Sequence, residues 1–191
     1  MCKNNAACSK FDLSSVGCVF TGAAPLGAET AEELQKLYPS WKIRQGYGLT
    51  ETCTVVCSSS EEDIDFGSSG CLIPGFTAKI MSLDGVEITG YNQPGELVVQ
   101  SPSVVLGYLN NDKANIETFL DDTDGKGRWM RTGDEAIIRK SPKGNEHVWI
   151  VDRIKELIKV KVNLHAKFHK IQANLYARVF KLPPQSLRLT F

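Results

Sequence analysis

The chain has 191 residues, enough for one domain or two small subdomains, and a formal net charge of zero at pH 7. Its 42% hydrophobic and 23% charged content is that of a globular protein, which excludes disordered, collagen-like and coiled-coil classes. No apolar run approaches the roughly 20 residues of a membrane span, and no secretory signal is recognisable, so we expect a cytoplasmic protein without a transmembrane segment. Neutral overall charge argues against a nucleic-acid partner.

Residues 162–191 differ in composition from the rest of the chain. They contain basic but no acidic residues, whereas all 22 Asp and Glu precede them. Apolar residues recur at helical spacing over residues 163–182, which predicts a basic amphipathic helix, although an unsupported solvated segment has the same pattern. The six cysteines have neither disulfide-scaffold nor zinc-site spacing and are predicted to be free thiols.

The first part of the chain predicts a strand, a helix and a second strand. Residues 16–20 are β-branched or aromatic and lead into a small-residue turn at 21–27. Residues 29–38 predict a helix with early acidic residues and Pro39 as its stop. Residues 41–45 alternate like a strand and run into a Gly-Tyr-Gly loop. This order predicts an α/β subdomain over residues 1–66.

Residues 67–151 predict short strands separated by tight turns. The strands are expected at 77–82, 96–100, 136–139 and 147–151, and the turns at 83–85, 92–95 and 141–145. This spacing predicts a small antiparallel sheet or distorted β-barrel. A helix capped by Asp112, with Ile116, Phe119 and Leu120 on its apolar face, is expected to interrupt the strands.

Residues 45–51 combine two glycines, an aromatic ring, a hydroxyl and a carboxylate after a strand. In such a loop Tyr47 can stack on a purine, Thr50 can donate to a phosphate oxygen and Glu51 can hold Mg²⁺. An ordinary glycine-rich turn has the same composition, and the chemistry alone leaves both interpretations open.

Two further clusters carry polar groups suited to a nucleotide. Asp134 follows a glycine at the start of a predicted strand, and its two oxygens suit the vicinal hydroxyls of a ribose as well as local turn backbone. Residues 151–161 carry four basic residues, which suit a phosphate or carboxylate but also a solvated charged surface: Arg153, Lys155, Lys159 and Lys161.

Taken in order, these segments resemble the adenylate-forming superfamily of acyl-CoA synthetases, 4-coumarate–CoA ligases and beetle luciferases. The matching segments are 11–15, 21–27, 45–51, 70–79, 94–97, 107–110, 131–134 and 152–161. The resemblance implies a ligase in which a small-molecule carboxylic acid attacks the α-phosphate of ATP, giving an acyl-adenylate and pyrophosphate. Coenzyme A then displaces AMP. The implied cofactors are ATP or AMP, Mg²⁺ and coenzyme A.

The resemblance also implies roles for individual residues. Thr50, Glu51 and Lys159 would form the catalytic set, with Thr50 on the phosphate, Glu51 on the magnesium ion and Lys159 facing the adenylate. The other implied cofactor-binding residues would contact adenine, ribose or coenzyme A or lie at the hinge: Gly22, Ala23, Ala24, Pro25, Gln45, Gly46, Tyr47, Gly48, Asp134, Arg153, Lys155 and Lys161. Val55 and Val56 would belong to the acyl pocket wall.

Two catalytic parts of the family have no counterpart in residues 1–191, namely its phosphate loop and its lysine-bearing C-terminal domain. Residues 65–70 are rich in glycine and serine but lack the lysine of that loop. The implied segments are a partial α/β subdomain at 1–66, a barrel-like subdomain at 67–151, a hinge at 152–161 and a divergent tail at 162–191. We therefore expect a fragment that is inactive alone, from a truncated gene model or a pseudoenzyme; the alternative is a non-catalytic adenine-nucleotide-binding or scaffold protein.

Overall fold

The computed structural model describes residues 8–154. The chain divides into two units, Met1–Arg153 and Ile154–Phe191, and the described strands and helices lie in the first. The predicted tail helix over residues 163–182 lies outside the described residues, as do three of the predicted site residues: Lys155, Lys159 and Lys161. In the described part, neither helix has the length and apolar character needed to cross a membrane.

The first sheet has four strands, ordered β1, β2, β3, β4. β1 (Cys18–Thr21) pairs in parallel with β2 (Lys42–Leu49), and α1 (Ala28–Leu37) connects them, which confirms the predicted strand, helix and strand. β3 (Thr54–Ser58) and β4 (Cys71–Leu72) extend the sheet with antiparallel pairing. β4 lies in this sheet although it follows the subdomain boundary predicted after residue 66.

The Gly-Tyr-Gly of residues 46–48 belongs to β2, so its prediction as a loop was wrong. β3, which the sequence pattern did not reveal, pairs with this segment through a β-bulge between Tyr47 and Gly48. The glycines serve close packing: a Cβ on Gly48 would overlap the carbonyl oxygen of Thr54, and one on Gly46 would lie 2.6 Å from Cζ of Phe20. A short 3-10 helix, Thr50–Thr52, follows the strand.

The second sheet is antiparallel and has six strands. Five follow the order β10, β9, β7, β5, β6, and β8 pairs with β9. Their bounds are β5 Thr77–Met81, β6 Glu87–Ile88, β7 Gly95–Ser101, β8 Phe119–Leu120, β9 Arg128–Lys140 and β10 Glu146–Arg153. Hydrogen bonds close the predicted turns at 83–85 and 141–145. Within residues 8–154 the sheet is open, with β10 and β6 at its ends, so the predicted barrel does not close.

Helix α2 (Asp112–Thr118) differs from the prediction in its cap and its apolar face. The N-cap is Asn111, whose side-chain oxygen accepts a hydrogen bond from the Ala114 N–H at 3.2 Å. Ile116 is 78% exposed, while Phe119 and Leu120 form β8. Pairing with β9 takes these two residues out of the helix because the strand satisfies their backbone groups and buries the Phe119 side chain, whereas Leu120 is exposed.

The main core lies between the two sheets. β3 contributes Val56 and Cys57, and the antiparallel sheet contributes most of the facing side chains, including Leu97, Val99, Met130, Ala136 and Val148. Val56 is fully buried in this core, so it does not line an open pocket as the resemblance implied. The five cysteines among residues 8–154 are free thiols, as predicted.

Candidate functional site

A cavity of about 290 Å³ opens where the two sheets meet. Five segments that are far apart in the sequence line this cavity. They are the loop after β1, the middle of β2, the residue Ser69, the middle of β9 and the end of β10. The lining residues are Ala23, Ala24, Pro25, Gln45, Gly46, Tyr47, Gly48, Ser69, Asp134, Ile150, Val151, Asp152 and Arg153. The fold thus brings together residues from all three clusters that the sequence singled out.

The centre of the cavity is a carboxylate held by two donors. The Tyr47 hydroxyl donates to Oδ2 of Asp134 at 2.6 Å, and Nε of Arg153 lies 2.9 Å from Oδ1. Asp134 is only 2% exposed, so these bonds compensate for much of the cost of burying its charge. Burial, and next the hydrogen bond to Asp134, raise the pKa of the Tyr47 hydroxyl far above its ordinary value, which keeps it protonated as a donor.

The two donors differ in how readily another molecule could replace them. The Arg153 side chain is 62% exposed, whereas Tyr47 is half-buried against the main core. The Arg153 guanidinium can therefore move into solvent and leave Oδ1 to an incoming hydroxyl, while the tyrosine stays in place. Two acceptor oxygens on one fixed carboxylate are suited to a vicinal diol.

The loop after β1 forms one wall of the cavity. Ala23 has a φ of 65°, in the left-handed region that a residue with a side chain seldom adopts. Gly22 lies beside β2, because a Cβ there would be 3.4 Å from the carbonyl oxygen of Gly46. Strained backbone of this kind clusters at ligand sites, where the surrounding structure holds it in place.

The Gln45 side chain links this wall to the loop that contains Ser68. Its Oε1 accepts a hydrogen bond from the Leu26 N–H at 2.8 Å, and its Nε2 donates to the Ser68 carbonyl oxygen at 3.1 Å. Both ends of the amide thus have protein partners. The cofactor-binding role implied for Gln45 stays a prediction, and the geometry gives this residue the task of joining two loops at the cavity rim.

Thr50 and Glu51 lie on the 3-10 helix after β2 and are not among the residues that line the cavity. The Tyr108 hydroxyl donates to Oε1 of Glu51 at 2.7 Å. Desolvation, together with this bond to a carboxylate, raises the pKa of Tyr108 to about 12. Within residues 8–154 no cluster of three or more His, Cys, Asp or Glu side chains is placed to hold a metal ion.

The family model described as AMP-binding enzyme matches residues 1–109. The chain belongs to the AMP-binding enzyme family. Acyl-CoA ligase AFT1-1 of Alternaria alternata is 51% identical over 152 residues, which are 80% of this chain and 26% of that protein. Acyl-CoA ligase lcsD of Purpureocillium lilacinum is 47% identical over 151 residues, which are 79% of this chain and 38% of that protein.

A solved structure shares the fold of this AMP-binding family member. The long-chain-fatty-acid-CoA ligase (FadD1) from Archaeoglobus fulgidus matches with a TM-score of 0.65 and 29% identity, over 75% of this chain and 29% of that one. The resemblance to adenylate-forming CoA ligases is confirmed, and the chain spans about a quarter of the length of the first relative. The mixed α/β architecture is that of part of the adenylate-forming fold.

Sequence reasoning about this AMP-binding family member missed four residues of the cavity wall, Ser69, Ile150, Val151 and Asp152. Val151 and Asp152 lie in the segment 151–161, of which only the basic residues were assigned roles. Ser69 belongs to the segment set aside because it lacks a lysine. Its N–H donates to the Val148 carbonyl oxygen of β10 at 2.8 Å, which brings it to the cavity. Ile150 lies in a predicted strand, and nothing in its residue type or spacing distinguishes it from a core position.

Proposed function

We propose that this chain is the adenylate-binding part of an ATP-dependent acid–thiol ligase. Such a ligase activates a carboxylic acid as an acyl-adenylate and transfers the acyl group to coenzyme A. The observation that carries the proposal is the convergence of Tyr47, Asp134 and Arg153 on one cavity. The names of the relatives, acyl-CoA ligases, support the reaction class.

Each part of an adenosine monophosphate has a suitable partner here. The Tyr47 ring offers a stacking face for adenine beside the loop that contains Ala23, Ala24 and Pro25. Asp134 would accept from the two ribose hydroxyls, and Arg153, which lies 2.9 Å from Oδ1 of Asp134, would assist. Thr50, exposed at the start of the 3-10 helix that follows β2, is proposed to donate to the phosphate.

Glu51 fits the magnesium ion that the family implies. Mg²⁺ with a nucleotide is usually bound by one or two carboxylates together with phosphate oxygens. Among the hydrogen bonds of residues 8–154, Oε1 of Glu51 has a partner and Oε2 has none. Mg²⁺, when bound, would neutralise phosphate charge. Glu51 would supply Oε2 as its protein ligand.

The lysines beyond the described residues complete the proposal. Lys159 would face the adenylate, Lys161 the coenzyme A and Lys155 the hinge, as the resemblance implies. Adenylation must stabilise charge on the transferring phosphoryl group, and loss of one electrostatic contributor typically costs about 10²–10³ in rate. Because residues 1–191 contain no counterpart of the family's phosphate loop or C-terminal lysine, we expect this chain alone to bind AMP with little or no turnover.

Calorimetric titration of the whole chain with AMP tests this function. We expect AMP binding, and we expect Asp134→Asn and Asp134→Ala to weaken it at least about tenfold because bonds between ribose hydroxyls and a charged acceptor are lost. Asp121→Ala is the matched control, since Asp121 is exposed and does not line the cavity. Thermal unfolding of each variant separates lost binding from lost folding.

A wild-type chain that does not bind AMP, or Asp134 variants that bind it normally, would contradict the proposal. Pyrophosphate release from ATP with a panel of carboxylic acids then tests whether this chain catalyses adenylation alone. Release would contradict the expected lack of turnover and exclude the non-catalytic alternative, whereas AMP binding without release is expected of this chain under both candidate functions.

A further inference from the structure

We propose that Tyr108 is a positioning residue for Glu51 that fixes one carboxylate oxygen and leaves the other for the magnesium ion. This rests on the proposed function, which gives Glu51 its metal. Tyr108 is 57 positions from Glu51 in the sequence, yet its hydroxyl donates to Oε1 of Glu51 at 2.7 Å. Glu51 lies on a 3-10 helix of only three residues. Without an external partner, its side chain would sample several rotamers.

Tyr108 is itself fixed in position by α2. Oδ1 of Asn115 accepts a hydrogen bond from the Tyr108 N–H at 2.6 Å, and Nδ2 of the same side chain donates to the Tyr108 carbonyl oxygen at 3.0 Å. Gly107 permits this close approach because it has no side chain and a φ of 148°. A Cβ at this position would lie only 2.8 Å from Oδ1 of Asn115, which is too close. The Tyr108 ring packs against Phe119, with 5.4 Å between centroids.

Separate bonds secure the backbone of the 3-10 helix. The Val105 N–H donates to the Glu51 carbonyl oxygen at 2.9 Å, and the Ser103 hydroxyl donates to the Thr52 carbonyl oxygen at 3.1 Å. The Tyr108 hydroxyl therefore acts on the side chain of Glu51, while other groups position its main chain. Removing the hydroxyl is expected to free the carboxylate without moving the helix.

The chemical consequence concerns the number of oxygens that Glu51 offers. With Oε1 engaged by a neutral donor, Oε2 is available for coordination through one oxygen, which leaves more positions on the ion for phosphate and water. Partners that orient a metal ligand in this way typically contribute about 10–100-fold to metal affinity. We expect the contribution of Tyr108 to metal affinity to lie in the lower part of that range because Glu51 is partly exposed.

The test compares ATP affinity in Mg²⁺ with ATP affinity in a chelator, for the whole chain, by calorimetry. Mg²⁺ is expected to strengthen ATP binding by the wild type. In Tyr108→Phe, the factor by which Mg²⁺ strengthens ATP binding is expected to be about tenfold smaller. AMP affinity and metal-free ATP affinity should stay unchanged, which a merely structural role of the hydroxyl would not produce. Tyr91→Phe is the matched control, because the Tyr91 hydroxyl also donates to a glutamate, Glu146, outside the site.

A double-mutant cycle with Glu51→Gln distinguishes an effect that acts through Glu51 from a general effect of Tyr108→Phe on folding. Glu51→Gln should abolish the enhancement, and adding Tyr108→Phe to it should change nothing further. A Tyr108→Phe chain that keeps the full Mg²⁺ enhancement overturns the positioning role while the proposed function stands. Normal AMP binding with no Mg²⁺ effect on ATP overturns Glu51 as the ligand and the role of Tyr108 with it. Absence of any nucleotide binding overturns the proposed function and this proposal together.

Discussion

Asp134 is a buried carboxylate, and one of its two hydrogen-bond donors, Arg153, is exposed. A buried carboxylate needs hydrogen-bond donors, and here one donor is neutral and half-buried while the other is a charged, exposed guanidinium. The neutral donor, Tyr47, also contributes the ring proposed to stack on adenine. One residue therefore has two tasks, which substitution can separate.

Tyr47→Phe should keep the ring but lose the bond to Asp134. We expect AMP affinity to fall less than about tenfold, and the free energy of unfolding to fall by about 1–3 kcal/mol, because a buried acceptor loses its donor. Tyr47→Ala should weaken AMP binding by a further factor of about 10–100, the usual contribution of base stacking. Calorimetry and urea unfolding measure the two effects. Equal loss of AMP affinity in the two variants would mean that the ring does not contact the base.

Single residues show what sequence reasoning could supply. Residue type singled out Tyr47, Asp134 and Arg153 and the family resemblance gave them roles; the structure places all three at one cavity, and their nucleotide-binding roles stay predictions. The contacts of Gln45 with Leu26 and of Tyr108 with Glu51 join residues distant in the sequence. Their residue types predict such contacts no better than many others, so only the folded structure shows them.

At the scale of secondary structure, a buried polar network joins the loop after β3 to the β9–β10 hairpin. His147 is fully buried; its Nε2 lies 3.2 Å from Oδ2 of Asp63 and its Nδ1 lies 2.9 Å from the Ser68 hydroxyl. Oδ2 of Asp63 also accepts from Ser141 and Asn145, at 2.8 and 2.6 Å. The order Ser, His, Asp is that of a hydrolase triad, but Ser68 is 1% exposed and cannot meet a substrate. The network therefore holds together the loop after β3, which supplies Ser69 to the cavity, and the β9–β10 hairpin, which supplies Ile150.

This network predicts a dependence of stability on pH. Desolvation is the largest influence on Asp63 and opposes ionisation. Hydrogen bonds from Asn145 and Ser141, with His147 nearby, outweigh it and lower the pKa of the carboxyl below its ordinary 3.8. The stabilisation is therefore complete above that ordinary value and is lost as the pH falls through the lower value of the folded state.

Asp63→Asn should lower the free energy of unfolding at neutral pH by about 1–3 kcal/mol, because the buried network loses its charged acceptor. The difference from the wild type should shrink as the pH falls below 3.8. Urea unfolding across that range measures both. A difference that stays constant with pH would show that the ionised carboxyl of Asp63 is not what stabilises the network.

Elements with a local signal were predicted within a few residues. α1 follows from its acidic first turn and Pro39, and the hairpins follow from their turn glycines. The predictions failed where pairing between distant strands decides the outcome: β3 makes residues 46–48 a strand, β9 takes Phe119 from α2, and no long-range pairing closes the barrel within residues 8–154.

At the scale of the whole molecule, the cavity exists because two sheets of different kinds meet. The partly parallel sheet supplies the loop after β1 and Tyr47, and the antiparallel sheet supplies Asp134 and Arg153. Nucleotide bound there would contact both sheets at once. The central claim is that these groups form one adenylate site, although the segments that carry them lie far apart in the sequence.

Nuclear magnetic resonance mapping of AMP on the isotope-labelled chain tests this claim most directly. The account predicts that amide signals of both sheets shift together and saturate with one affinity, at Gly46, Tyr47, Gly48 and Asp134, while the distant turn at Gly85 stays unchanged. Signals that shift on only one sheet, or saturation at different AMP concentrations for the two sheets, would contradict a single adenylate site.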